Sequence, residues 1–288
     1  MSNELPQLDW QQINTIIELA LKEDIGSGDA TTIAVVEKDK EISAKLIAKE
    51  DCVISGLQIA EAVFKKLDSK ISFISLVHDG DYLLNGTVIA KITGSAAAIL
   101  TAERTALNFI QHLSGISTIT KKYVEKTKGS NTKILDTRKT TPAWRNMEKY
   151  AVAAGGGTNH RLGLYDRIMI KDNHRELANL EGTGGIIRSV EKAKTKYPSL
   201  KIEVEADTLE DVHEAVKARA DYILLDNMSN EMMAEAVKIN NKTAKLEASG
   251  GITIGRISSI CKIGVDFISV GSITHSVKAA DISLDMLI

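Results

Sequence analysis

The 288-residue chain has only two cysteines, Cys52 and Cys261, 209 positions apart. Neither belongs to a CxxC pair, so neither a disulfide framework nor a cysteine-based zinc site is expected, and a reducing cytoplasm is the simplest compartment. No apolar run reaches about 18 residues, which leaves no membrane span to place. The opening MSNELPQLDW lacks a basic stretch followed by an apolar core, which argues against a secretory signal. A charge excess is missing too. Thirty-six basic and 38 acidic residues give a net charge of −2, and the whole molecule offers no electrostatic reason to bind nucleic acid. There is no Walker A pattern, and no GxGxxG follows the first strand of the repeating section described below. No activated Ser or Cys and no cluster of metal-ligating His stands out, which argues against hydrolysis through a covalent nucleophile.

What is present reads as a globular chain, with 43% hydrophobic and 26% charged residues. Its length suits about two domains, or one barrel of about 250 residues. Residues 9 to 23 have the spacing of a helix, with Asp9 as cap and Trp10, Ile13, Ile17, Ala20 and Leu21 on one face. Residues 41 to 55 read as strand, 57 to 67 as helix, and 71–77 and 87–93 as further strands. Asp79-Gly80 and Asn85-Gly86 mark turns. This hairpin region faintly resembles a lipoyl or biotinyl carrier, but no Lys stands at its tip. A long helix is expected over 96–127, with Glu103 and Arg104 inside it.

From residue 132 short apolar strands alternate with helical segments. The strands end near Asp136, Lys171, Glu205, Asp226, Glu247 and Val270, and the last four gaps are 34, 21, 21 and 23 residues. One compact βα unit fits each of the shorter gaps, so a parallel sheet or barrel is expected. In a barrel, chemistry sits at the carboxyl ends of the strands. Four groups of residues fall there.

The first is Thr137-Arg138-Lys139-Thr140-Thr141-Pro142, where adjacent cations and hydroxyls suit a phosphate or carboxylate. The second is the stretch 155–174, GGGTNHRLGLYDRIMIKDNH, with His160, Arg161 and Lys171. Between Arg138 and Arg175 there are eight Lys or Arg and three Asp or Glu, a local net of +5 that suggests a strongly anionic small ligand. The third is Glu205 and Asp226. Glu203 and Glu205 share a strand face, and inward carboxylates ask for cations or a metal. They could neutralise the nearby bases or stabilise a cation developing in a substrate. The fourth is Ser249-Gly250-Gly251 with Val270-Gly271-Ser272, two turns that each precede a helical segment, where backbone amides can hold phosphate. Each group also has a structural reading, as a surface turn or an ion-pair network. The histidines at 78, 112, 213 and 275 receive only that reading, and Gly182, Gly184 and Gly185 are read as turn glycines.

Taken together, EDIGSGDATT, AERTALNFIQHLSGI, ILDTRKTTP, GGGTNHRLGLYDRIMIKDNH, IEVEAD, ILLDNM, EASGGI and ISVGS closely resemble the quinolinate phosphoribosyltransferase family over nearly the whole chain. The resemblance implies an α/β fold, an incomplete (β/α) barrel with an N-terminal α/β sandwich domain. It implies a pentosyltransferase that joins quinolinate to phosphoribosyl pyrophosphate, releases pyrophosphate and CO2, yields nicotinate mononucleotide for NAD biosynthesis, and requires Mg²⁺. By position, Arg138, His160, Arg161 and Lys171 would hold the quinolinate carboxylates and Lys139 would face pyrophosphate. Glu205 and Asp226 would hold the ribose hydroxyls and stabilise its oxocarbenium-like transition state. The Ser249 and Gly271 loops would take the 5′-phosphate. Arg104 would complete the neighbouring site in a homodimer, or in a trimer of such dimers. The expected domains are 1–115, 116–275, and a C-terminal segment 276–288 packing back on the first. Three alternatives stay open: a nicotinate-using relative that does not decarboxylate, a paralogue of the same fold linked to molybdenum uptake, and a non-catalytic binding protein for phosphorylated metabolites.

Overall fold

A computed structural model describes residues 5–37, 39–180 and 182–287. The chain forms two compact units. One comprises Met1–Lys121, Thr140–Gly156 and Ile273–Ile288, and the other Lys122–Lys139 and Gly157–Ser272.

In chain order the elements begin with α1 (Trp10–Ile25), α2 (Ala30–Val35), β1 (Glu41–Ala48), β2 (Cys52–Val53), α3 (Leu57–Leu67), β3 (Ser72–Ser75), β4 (Tyr82–Leu83), β5 (Val88–Ser95) and α4 (Ala96–Glu125). They continue with β6 (Lys133–Leu135), α5 (Arg145–Ala154), β7 (Ile168–Ile170), α6 (Asp172–Asn179), α7 (Gly185–Lys196), β8 (Ile202–Ala206), α8 (Leu209–Lys217), β9 (Tyr222–Asp226) and α9 (Asn230–Asn240). The last are β10 (Lys245–Ser249), a 3-10 turn (Ile254–Arg256), α10 (Ile257–Ile263), β11 (Phe267–Ser269), α11 (Ser272–His275) and β12 (Ile282–Leu287).

The first unit is built on a four-stranded sheet in the order β12-β1-β5-β3, with β12, β5 and β3 paired antiparallel to their neighbours. Helix α1 starts where Asp9 accepts the Gln12 N–H at 3.2 Å, one of the orphan donors of a helix start. Its buried stripe is Ile13, Ile17 and Leu21; Trp10, expected on that stripe, lies at its exposed margin. The single strand expected over 41–55 is two. The Asp51 carboxylate accepts the Asn85 N–H at 2.9 Å, and the chain turns there before β2 pairs with β4. Helix α4 runs straight through Gly115, where an added Cβ would lie 2.3 Å from the Lys278 carbonyl oxygen. The glycine is needed for that close approach of the C-terminal segment.

The second unit carries six parallel strands in the order β6-β11-β10-β9-β8-β7. Helices alternate with the strands, so the sheet is an incomplete α/β barrel. Registers such as Ser249 opposite Asp226 and Ile268 opposite Ile134 align the strand ends. Outward residues Val204, Ala206, Ile223, Leu225 and Ala248 are fully buried, which explains why these strands read as near-continuous apolar runs. Among the described residues no helix is long and apolar enough to cross a membrane.

Candidate active site

A pocket of about 520 Å³ opens at the carboxyl ends of these strands. The β6 end supplies Thr137, Arg138 and Lys139, and the Thr137 hydroxyl accepts the Lys139 N–H at 3.1 Å. His160 and Arg161 follow the bridge that pairs Thr158 with Leu135. Lys171 stands at the end of β7 as the cap of α6. Glu205, Asp226 and Ser249 come from the ends of β8, β9 and β10. These nine expected residues therefore meet in one cavity.

The remaining expected residues do not line it. Val270 is buried, because Ser269 is the neighbour that faces inward on β11. Gly250, Gly251, Gly271 and Ser272 lie just beyond the lining. Gly250 has φ +85°, and an added Cβ would fall 2.1 Å from Asn227 Oδ1. The helix after Gly271 is a single turn, and a 3-10 turn precedes α10 after Gly251. Arg104 is exposed on α4 in the first unit.

The cations crowd one another. Arg161 is buried, and its pKa is lowered by that burial and by the guanidinium of Arg138. Its side chain is held by donation to the Arg167 carbonyl at 2.9 Å. Several cations gathered on one pocket wall call for an anion. Lys171 lies 3.6 Å from Glu205. Burial and the neighbouring Asp226 raise the Glu205 carboxyl, against the lowering by Lys171, and burial and Asp207 raise that of Asp226.

Beneath these groups lies a buried network that the sequence reading did not assign. His160 Nε2 is 3.1 Å from Glu203 and 3.5 Å from Glu247. Arg167 also reaches Glu203 at 3.3 Å, and its guanidinium stacks 4.1 Å above the Tyr222 ring. Asp136, fully buried, accepts the His160 N–H at 2.7 Å and the Asn159 side chain at 2.8 Å. Burial lowers the His160 pKa, but the two carboxylates raise it further, to about 9. The Arg161 N–H points at His160 Nδ1 at 2.7 Å, and Nε2 faces the carboxylates. Burial and Glu203 push Glu247 up to about 7, while burial of Glu203 is outweighed by His160 and Arg167 and its carboxyl is lowered. A signal for Glu247 was available. It stands two residues before Ser249, so strand alternation puts both on one face.

Among the described residues two groups bring ligand atoms within 4.8 Å of one another and could hold a metal ion: His160, Glu203 and Glu247, and Glu205, Asp207 and Asp226.

Fold and pocket together define an α/β-barrel protein with a pocket rich in charged side chains at its strand ends. The chain belongs to the quinolinate phosphoribosyl transferase family: its C-terminal-domain model matches residues 116–285 and its N-terminal-domain model residues 29–114. The chain is 42% identical over 276 residues to a probable carboxylating nicotinate-nucleotide pyrophosphorylase of Bacillus subtilis, covering 96% of this chain and 93% of that protein. It is 40% identical to the chloroplastic carboxylating nicotinate-nucleotide pyrophosphorylase of Arabidopsis thaliana, covering 97% of this chain and 84% of that one. The solved nicotinate-nucleotide pyrophosphorylase of Francisella tularensis superposes with a TM-score of 0.92 at 39% identity, over 100% of both chains.

Proposed function

We propose that the pocket joins quinolinate to phosphoribosyl pyrophosphate with loss of CO2, giving nicotinate mononucleotide and pyrophosphate in NAD biosynthesis. The observation that carries this reading is the convergence of Arg138, Lys139, Arg161 and Lys171 on one pocket, together with the carboxylates of Glu205 and Asp226. Quinolinate is a dianion and its partner carries several negative charges. At about 4 Å and an effective dielectric near 20, each pair of like charges costs about 4 kcal/mol. Arg138, His160, Arg161 and Lys171 offset that cost at the two ring carboxylates, and Lys139 does so at pyrophosphate.

Attack by the ring nitrogen on the anomeric carbon builds positive charge on the ribose. Glu205 and Asp226 hold the ribose hydroxyls and stabilise that charge. The Ser249-Gly250-Gly251 and Val270-Gly271-Ser272 turns receive the 5′-phosphate through backbone amides.

Mg²⁺ fits Glu205, Asp207 and Asp226, three carboxylates at an open mouth, as a hard ion that keeps several waters requires. The His160 group suits it less well, because it is buried and already contains an imidazole and the nearby Arg167. When bound, the ion would neutralise charge on the leaving pyrophosphate. We further propose a cytoplasmic homodimer, in which the exposed Arg104 enters the neighbouring site.

Turnover of quinolinate and of nicotinate, each with phosphoribosyl pyrophosphate and Mg²⁺, tests the reading. Quinolinate is expected to be used strongly in preference, with CO2 released. A preference for nicotinate would overturn it. Arg161→Lys is expected to raise the KM for quinolinate about tenfold or more, because an ammonium cannot replace a forked guanidinium.

A further inference from the structure

Helix α6 gives the pocket its cap, Lys171, and Asp172 at its start lines the same cavity. Arg175 is the buried residue of this helix, and a guanidinium is placed in an interior only where acids receive it. Its two terminal nitrogens fork. One meets Asp207 Oδ2, and the other lies 2.9 Å from Asp211 Oδ1. Asp211 is itself fixed at the start of α8. Its Oδ2 accepts the Asp207 N–H at 3.1 Å, the Thr208 N–H at 3.0 Å and the Thr208 hydroxyl at 2.9 Å. Through this fork the rigidity of the helix start reaches the Asp207 carboxylate.

We propose that Arg175 is a positioning residue that holds the Asp207 carboxylate beside Glu205 and Asp226, where the three would ligate Mg²⁺. The proposal rests on the function and the metal group assigned above. Arg175 acts through Asp207 and has no direct part in holding the substrates.

Asp207 needs such support. One of its oxygens lies within 4.8 Å of an oxygen of Glu205 and one of Asp226, and three like charges at that spacing repel. Glu205 and Asp226 stand on β8 and β9, whereas Asp207 lies one residue beyond β8 with a half-exposed side chain. A carboxylate on such a turn swings away from its neighbours unless something opposes the swing. Lys171 is paired with Glu205, and the cation paired with Asp207 is Arg175. A carboxylate has about four acceptor positions, so the bond from Arg175 leaves Asp207 able to ligate. Two carboxylates gripped at once call for arginine, because an ammonium has no planar fork. Hydrogen bonds that orient a metal's ligands from outside are worth about 10- to 100-fold in metal affinity.

The test titrates the intact enzyme with Mn²⁺, which shares the preference of Mg²⁺ for octahedral oxygen sites, and follows the free ion by paramagnetic resonance. Melting temperatures are recorded for every protein. The wild type is expected to bind Mn²⁺. Arg175→Gln, Arg175→Lys and Asp207→Asn are each expected to bind it about 10- to 100-fold more weakly. Adding Arg175→Gln to Asp207→Asn is expected to change the affinity by less than about twofold, because the two residues act as one unit. Wild-type affinity in Asp207→Asn, or in either folded Arg175 variant, overturns the proposal however far the melting temperature falls. So do a double variant much weaker than Asp207→Asn and a wild type that binds no Mn²⁺. Loss of the fold in both Arg175 variants makes the fork purely structural and overturns it as well. Quinolinate turnover by the same wild-type preparation, with Mg²⁺, is the separate control: the parent function stands with turnover and falls without it, whatever Mn²⁺ shows.

Discussion

The Nε2 atom of His160 lies 3.1 Å from Glu203, and neither side chain is open to solvent. Glu203 is also the acceptor for Arg167. Removing it leaves a buried imidazole and a guanidinium without their shared partner. Glu203→Ala is therefore expected to destabilise the protein by about 3–5 kcal/mol, the range for breaking a buried ion pair from one side. Urea unfolding of variant and wild type measures this. A loss within experimental error would remove the network from the account of stability.

The same network sets a pH dependence. The folded-state pKa of His160 is about 9, above its ordinary 6.5, so its stabilisation is fully present below about 6.5 and is lost as pH rises through 9. Glu247 is raised from 4.5 to about 7, so protons bound to it favour folding below 4.5 and that favour is lost as pH rises through 7. Glu203, lowered, acts in the opposite sense and loses its contribution as pH falls. Unfolding free energy should decline from about pH 5 to pH 9. Glu247→Gln, which removes one titrating group, should flatten the lower part of that decline. Urea titrations at several pH values would reveal it, and parallel profiles for the two proteins would contradict it.

Gly250 has a left-handed backbone and no room for a side chain beside Asn227. Gly250→Ala should cost at least about 1–3 kcal/mol from conformation alone. It should also raise the KM for phosphoribosyl pyrophosphate more than that for quinolinate, because its turn is assigned to the phosphate end. Steady-state kinetics against each substrate gives the comparison; equal changes would place the defect elsewhere.

If Arg104 serves the neighbouring subunit, two inactive variants can repair each other. Arg104→Ala and Arg138→Ala homodimers should both be nearly inactive. After mixing and subunit exchange, half the dimers are mixed, and each mixed dimer has one site with both residues intact. Recovery of about a quarter of wild-type activity is expected. No recovery, with exchange demonstrated, would refute the shared site.

Much of this was legible in the chain itself. The 21- and 23-residue spacings anticipated the strands β8 to β11, because each βα unit must return to the same end of the sheet. The cationic motifs at 137–142 and 155–174 marked the mouth, because unpaired charge is not placed at strand ends without a partner. Local readings erred where long-range contacts decide. The strand over 41–55 divides because Asn85, distant in sequence, donates to Asp51. Glu247 went unassigned because one Glu in KLEAS looks no different from a solvated one until His160, from the loop after Thr158, and Ser269, from β11, arrive beside it.

By itself, the sequence determined the repeating strand–helix pattern, the bases gathered between Arg138 and Lys171, and the acidic ends of β8 and β9. Those follow from periodicity and residue chemistry, which are local. Only the tertiary structure decided which cations and which neighbouring carboxyl each buried acid meets. Ionisation in a dry interior depends on distances between groups from separate strands, and the order of residues along a chain does not fix those distances.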